Sequence, residues 1–247
     1  MKNIAILGST GSIGVQTLKV IKRYPHFFKV TYLATYSNKE LLLAQQKEFN
    51  VPNIGLIDKT KSTNDKITYG EECLIEALTD ADTVVVATRG IVALKAVILA
   101  IKKGINVALA NKEVLVTAGQ LVKEELKNSK SLLLPIDSEH SAVFQCINGR
   151  RNQVKKIILT ASGGPFFNYS QNQLKTITPQ QALHHPKWQM GKKITIDSAT
   201  LINKGFEVIE ASWFFDIPTE NIEVVVHPQS VVHSLVEITE AKTWSLD

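Results

Sequence analysis

Asp137 and Glu139 stand two residues apart in Pro135-Ile136-Asp137-Ser138-Glu139-His140, directly after an apolar run. In extended chain, residues two apart point the same way, so these acids are expected to converge on one face. Like charges so close repel unless a cation or a proton lies between them. Acids at the carboxyl end of a strand also lie where open α/β sheets place their ligands. A third carboxylate is offered by Asn203-Lys204-Gly205-Phe206-Glu207. On a helix, Asn203 and Glu207 are one turn apart and share a face, with Lys204 beside them. Three carboxylates with no cysteine make a hard oxygen site suited to Mg²⁺ or Mn²⁺. Solvated surface acids are the plain alternative for the pair.

Other polar groups suit an anion. Asp197-Ser198-Ala199-Thr200 puts hydroxyls ahead of the expected helix, where Ser198, Asn203 and Lys204 suit a phosphate and Thr200 reads as a cap. Ala161-Ser162-Gly163-Gly164-Pro165-Phe166 is a glycine turn after a strand, able to aim N–H groups and a hydroxyl at an anion. His184-His185-Pro186-Lys187-Trp188-Gln189-Met190-Gly191 reads as a lid whose aromatic ring folds over a substrate. His227 and His233, beside late strands, read as structural or as supports behind the site.

A second chemistry sits at the start. Gly8-Ser9-Thr10-Gly11-Ser12-Ile13-Gly14 joins an opening strand to a helix. Glycines let the backbone approach a pyrophosphate, and the helix N-terminus offers free N–H groups. The following strand ends Ala34-Thr35-Tyr36-Ser37-Asn38-Lys39, with no carboxylate until Glu40. A carboxylate there would repel a 2′-phosphate, whereas Ser37, Asn38 and Lys39 can donate to one. NADP is therefore expected over NAD, with a solvated turn as the alternative for these three.

Positioning such groups calls for a layered scaffold. Apolar strands are expected at 3–7, 28–36, 83–87, 106–110 and 132–136, and helices at 13–24, 39–49, 92–103 and 114–128. That alternation predicts a doubly wound parallel sheet covered on both faces, a Rossmann-like domain over residues 1–136. Residues 137–247 read as a mixed α/β catalytic domain, incomplete at its end. Its helices are expected at 141–147 and 200–214, its strands at 155–160, 193–196, 222–226 and 231–238, with a long irregular stretch over 161–191.

The chain has 247 residues and a net charge of +5. Its basic residues are scattered, which argues against a nucleic-acid partner and suits anionic small molecules. Arg89, Lys95, Lys102 and Lys103 interrupt the apolar region 84–110, so no membrane span is expected. Cys73 and Cys146 read as reduced thiols, and the cytoplasm is the expected compartment.

The ordered set Gly8–Gly14, Asn111-Lys112-Glu113, Asp137-Ser138-Glu139-His140, Ser162-Gly163-Gly164-Pro165-Phe166, His185-Pro186, Trp188, Met190-Gly191, Asp197-Ser198-Ala199-Thr200, Asn203-Lys204-Gly205 with Glu207, and His227-Pro228-Gln229-Ser230 resembles the 1-deoxy-D-xylulose 5-phosphate reductoisomerase family. The resemblance runs from residue 1 to about 238. It implies NADPH-dependent rearrangement and reduction of the sugar phosphate to 2-C-methyl-D-erythritol 4-phosphate, in isoprenoid precursor synthesis. It also implies Asp137, Glu139 and Glu207 as ligands of Mg²⁺ or Mn²⁺. Gly8, Ser9, Thr10, Gly11, Ser12, Ile13, Ser37, Asn38, Asn111 and Glu113 are then cofactor contacts. Ser162, Ser198, Asn203 and Lys204 hold the substrate phosphate, and Lys112 and Ser138 meet the reacting hydroxyls. His185, Trp188 and Met190 form the lid, and His233 lines the site. Lys112, Glu139 and His185 are the implied catalytic residues, and a homodimer the implied assembly.

Departures are specific. Ala93 replaces a usual glycine, and Tyr36 and Ser37 replace the family's Gly and Lys after the second strand. From Thr239 to Asp247 the family pattern is lost, and the catalytic domain's remainder and the helical C-terminal domain are not in this sequence. The expectation is a truncated or frameshifted product, or part of a longer sequence. Two rivals remain: another enzyme of similar N-terminal design, such as a semialdehyde dehydrogenase, which needs a nucleophilic cysteine, or a reductase acting on a different substrate; and an inactive remnant that binds NADPH without turnover.

Overall fold

The structure, a computed structural model, describes residues 1–61, 66–147, 149–184 and 191–239. It divides into two compact units, Met1–Ile136 and Asp137–Asp247.

In the first unit, buried apolar runs form strands and amphipathic segments form helices, alternating except where β3 is followed by β4. The elements are β1 (Lys2–Leu7), α1 (Ser12–Arg23), β2 (Phe28–Thr35), α2 (Lys39–Phe49), β3 (Asn53–Leu56), β4 (Thr68–Tyr69), α3 (Glu72–Glu76), β5 (Thr83–Val86), α4 (Leu94–Lys102), β6 (Asn106–Leu109), α5 (Lys112–Lys127) and β7 (Leu133–Pro135). Among the described residues they build a seven-stranded sheet ordered β4-β3-β2-β1-β5-β6-β7. Every pairing in it is parallel. This is the doubly wound arrangement expected from the sequence. Ile4 and Ile6 of β1 pack with Leu18 and Ile21 of α1, Leu33 of β2 and Leu42 of α2. Each such buried side chain contributes roughly 1.5–3 kcal/mol of transfer free energy. The order reverses beside β1, and the open end there is where such sheets take a dinucleotide.

The second unit comprises α6 (Ser138–Ile147), β8 (Val154–Ala161), α7 (Gln171–Leu174), α8 (Pro179–Ala182), α9 (Lys192–Ala199), α10 (Ile202–Phe215), β9 (Ile222–Val226) and β10 (Ser234–Ile238). Its sheet runs β10-β8-β9, with β8 antiparallel to β10 and parallel to β9.

Three expectations are corrected here. Residues 193–196 lie in helix α9 and not in a strand: Lys193 pairs with Asp197 at 2.7 Å across one helical turn, and α9 packs on α10. Packing has overridden the β preference of Ile194, Thr195 and Ile196. The stretch 161–191 holds two short helices, each started by a capping box, Ser170 with Gln173 and Thr178 with Gln181. Finally, β10 begins at Ser234 and not at residue 231. Among the described residues no helix is long and apolar enough to cross a membrane.

Candidate metal centre and nucleotide cradle

The carboxylates meet, but by a different route from the extended chain expected. The carbonyl of Asp137 accepts from Ser141 N–H at 2.8 Å, which makes Asp137 the residue that opens α6. Asp is a favoured N-cap, and a glutamate in the first turn complements the helix dipole. The helix therefore starts at Ser138, and Asp137 and Glu139 are gathered at its first turn. Glu207 comes from α10, and carboxylate oxygens of all three lie within 4.8 Å of one another.

Lys204 and Asn203 hold Glu207 from its own helix. Asn203 Nδ2 donates to Glu207 Oε1 at 2.5 Å, and Lys204 Nζ pairs with Glu207 Oε2. The same ammonium lies 3.5 Å from Glu139 Oε1. Lys204 and Glu207 are both buried, at 7% and 2% exposure, where charges persist only when paired. Fully ionised, three carboxylates against one ammonium leave two surplus negative charges, the complement of one dication. An oxygen-only donor set of this charge fits Mg²⁺ or Mn²⁺.

Burial, with the Glu207 carboxylate next to it and Asp137 nearby, pushes the Glu139 carboxyl up to about 7 against Lys204's opposing pull. The folded chain thus keeps a proton between the ordinary 4.5 and about 7 that the unfolded chain has released. This carboxyl's contribution to stability is present below that window and lost as pH rises through it. In chelator, the melting temperature of the unaltered chain minus that of Glu139→Gln should therefore fall as pH is raised from 4.5 to 7. A difference that stays flat would remove this assignment.

The phosphate-side residues are disposed as follows. Ser162 Oγ accepts from Gly164 N–H at 3.3 Å, and a side chain at Gly164 would strike the Ser198 carbonyl at 2.8 Å, so the glycine turn lies against α9. Ser138 is exposed, and its hydroxyl donates to Glu139 Oε2 at 2.6 Å. Thr200 is a C-cap of α9, its hydroxyl donating to Ile196 and Asp197 carbonyls at 3.2 Å, and not the start of the next helix. His227 Nε2 accepts from Val231 and Val232 N–H at 3.1 and 3.3 Å, a structural use. His233 is half-buried. His185, Trp188 and Met190 lie outside the described residues, as does the tail from Glu240 onward.

The sequence reading passed over His140 and Glu210. Both are fully buried, and their ligating atoms lie within 4.8 Å of one another and of Asp137. The signal was present as spacing, since Asp137 to His140 and Glu207 to Glu210 are each three apart and share helical faces.

In the first unit, the turn from Gly8 to Gly14 opens α1, with Gly11 N–H donating to the Gly8 carbonyl at 3.1 Å. A side chain at Gly14 would sit 2.3 Å from that carbonyl oxygen. Gly11 and Ser12 are exposed and Thr10 and Ile13 half-buried. Thr10 Oγ1 is bonded to Thr35 Oγ1. Ser9 is fully buried, and its carbonyl accepts from Gln45 Nε2 at 3.0 Å, which braces the turn.

Asn38 caps α2, its Oδ1 accepting from Leu41 N–H at 3.2 Å, and Ser37 is half-buried beside it. Lys39 Nζ donates to Tyr69 Oη at 3.1 Å. Asn111 caps α5 and its Nδ2 donates to the Thr88 and Gly90 carbonyls at 3.0 and 2.8 Å. Its amide thus fixes the loop after β5. Lys112 and Glu113 occupy the first turn of α5, Lys112 at 6% exposure. Burial pushes the Cys73 thiol up to about 12, which denies it thiolate chemistry.

Comparison with known proteins places the sequence and the fold in one family. The family profile described as 1-deoxy-D-xylulose 5-phosphate reductoisomerase matches residues 4–119, and that of its C-terminal domain matches residues 133–215. The reductoisomerase of Thermoanaerobacter pseudethanolicus is 52% identical over 96% of this chain and 65% of its own length. That of Chlamydia caviae is 48% identical over 100% of this chain and 68% of its own. A solved structure of DOX-P reductoisomerase in complex with NADPH, fosmidomycin and magnesium superposes with a TM-score of 0.89 at 41% identity. It covers 96% of this chain and 64% of the other. The chain thus spans about two-thirds of the length of the relatives it matches.

Proposed function

The chain belongs to the 1-deoxy-D-xylulose 5-phosphate reductoisomerase family, and from that premise we propose that it converts 1-deoxy-D-xylulose 5-phosphate and NADPH to 2-C-methyl-D-erythritol 4-phosphate. The observation that carries the reading is the gathering of Asp137, Glu139 and Glu207 within 4.8 Å. These carboxylates hold a Mg²⁺ or Mn²⁺ ion, which polarises the substrate carbonyl as a Lewis acid while NADPH supplies hydride. Lys204 serves Glu207 and Glu139 as counter-charge and faces the phosphate with Ser162, Ser198 and Asn203. Ser138 and Lys112 orient the hydroxyls. Residues 1–136 are the cofactor domain, in which the exposed turn at Gly11 and Ser12, at the N-terminus of α1, receives the pyrophosphate. Ser37 and the Asn38 amide nitrogen, at the N-terminus of α2, favour a 2′-phosphate, and Asn111 and Glu113 border the nicotinamide side. The proposal extends to a cytoplasmic homodimer, which sedimentation checks.

The alternative outcome is a chain that binds NADPH without turnover. Absorbance of NADPH separates the two. Oxidation is expected only when sugar phosphate and divalent cation are both present, should stop on adding chelator, and should be far slower with NADH. Cofactor binding without turnover would leave the remnant. Oxidation indifferent to this sugar phosphate would point to a different reductase.

A further inference from the structure

His140 and Glu210 stand behind the ligand set, with side chains at 0% exposure. Polar groups are carried that deep only where the fold holds them. His140 Nε2 lies 3.0 Å from the main-chain carbonyl of Glu207, so this nitrogen carries the hydrogen and donates it there. The same atom is 3.6 Å from Glu210 Oε2. Phe214 and Phe215 flank the ring, their centroids 5.9 and 6.3 Å away, the second nearly parallel to it. In that apolar setting no water competes for the bond. The residue preceding His140 is one carboxylate of the cluster, and the carbonyl it grips belongs to another. Its ring and the Glu210 carboxylate also approach Asp137. The pair therefore ties α6, which carries Asp137 and Glu139, to α10, which carries Glu207.

We propose that His140 and Glu210 are positioning residues that set the spacing of the three carboxylates across these two helices for a divalent cation. The inference rests on the cation site proposed above. Ligand distances for such ions tolerate only about 0.2 Å of error, and groups that orient ligands typically change metal affinity 10–100-fold. A hinge of two helices with no fixed strut between them would not meet that tolerance.

The test is Mn²⁺ titration of the 247-residue chain, followed by the electron paramagnetic resonance of free Mn²⁺. Four variants accompany it: His140→Leu, His140→Gln, Glu210→Gln and Phe214→Leu. His140→Leu and Glu210→Gln should weaken Mn²⁺ at least tenfold. His140→Gln, which keeps an N–H donor, should recover much of that loss. Phe214→Leu loosens the same core but spares the polar pair, so it should lower the melting temperature while Mn²⁺ affinity stays within threefold. The inference falls if His140→Leu folds and binds Mn²⁺ like the unaltered chain. It falls equally if Phe214→Leu weakens Mn²⁺ as much as His140→Leu does, which would make the role packing alone. Should His140→Leu not fold, unchanged affinity in both glutamine variants overturns it. An unaltered chain that binds no Mn²⁺ would remove the cation site itself, and this inference with it.

Discussion

Glu207→Gln is expected to weaken Mn²⁺ at least a hundredfold and to lower turnover by roughly a thousandfold. The substitution keeps the size of the side chain and removes one negative charge from a buried site, where Glu207 is 2% exposed. Two unit charges 4 Å apart interact by about 4 kcal/mol at the effective dielectric of such sites, and a dication doubles that. Desolvation offsets part of it, and a net loss of about 3 kcal/mol is a factor of more than a hundred. Turnover loses more, because the cation's charge is needed most as negative charge develops on substrate oxygen. Lys204 keeps Glu139 at 3.5 Å as a partner, so the fold should survive. Calorimetric titration of Mn²⁺ and of NADPH decides. An Mn²⁺ dissociation constant within threefold of the unaltered chain would rule Glu207 out as a ligand, and NADPH affinity should not move.

Gly14→Ala should be among the most damaging single methyls in the first unit. The added carbon would lie 2.3 Å from the Gly8 carbonyl oxygen and 2.6 Å from Ser9 Cα, both backbone atoms. No rotamer can relieve that contact. Either α1 shifts away from β1 or the turn opens, and each disturbs packing around Leu18 and Ile21. The expected cost is about 3 kcal/mol or more, at the upper end for single substitutions. NADPH affinity should fall at least tenfold, since the N–H groups that receive the pyrophosphate are displaced together. A melting curve and a fluorescence titration measure the two losses. Normal affinity in this variant would mean that the turn does not carry the dinucleotide.

Much of the first unit was legible because a parallel sheet covered on both faces demands near-continuous apolar strands. Asn3–Leu7 and the span 83–87 announce themselves in that way. β3 and β4 did not, since β3 includes Asn53 and Gly55 among its four residues and β4 has only two. Gly55 even reads as a breaker within β3, although a side chain there would meet Cys73 Cβ at 2.4 Å. In the second unit, residue types identified the carboxylates but the local geometry was misjudged. Asp137 was read as the end of a strand, whereas its N-cap preference starts α6 one residue later. The β-branched run at 194–196 looked like a strand until α10 supplied a partner for it. His140 was passed over because a lone histidine has no periodic context, and its meaning lies in α10, some 67 positions downstream.

The buried setting of Glu139 also has a thermochemical consequence. With its carboxyl pushed up to about 7, Glu139 still keeps part of its hydrogen near neutrality, and binding a cation releases that part to the medium. The heat of loading then includes the ionisation enthalpy of whatever buffer takes it up. Titrations in PIPES and in Tris at one pH should yield different apparent enthalpies, and their slope against buffer enthalpy counts the hydrogen ions released.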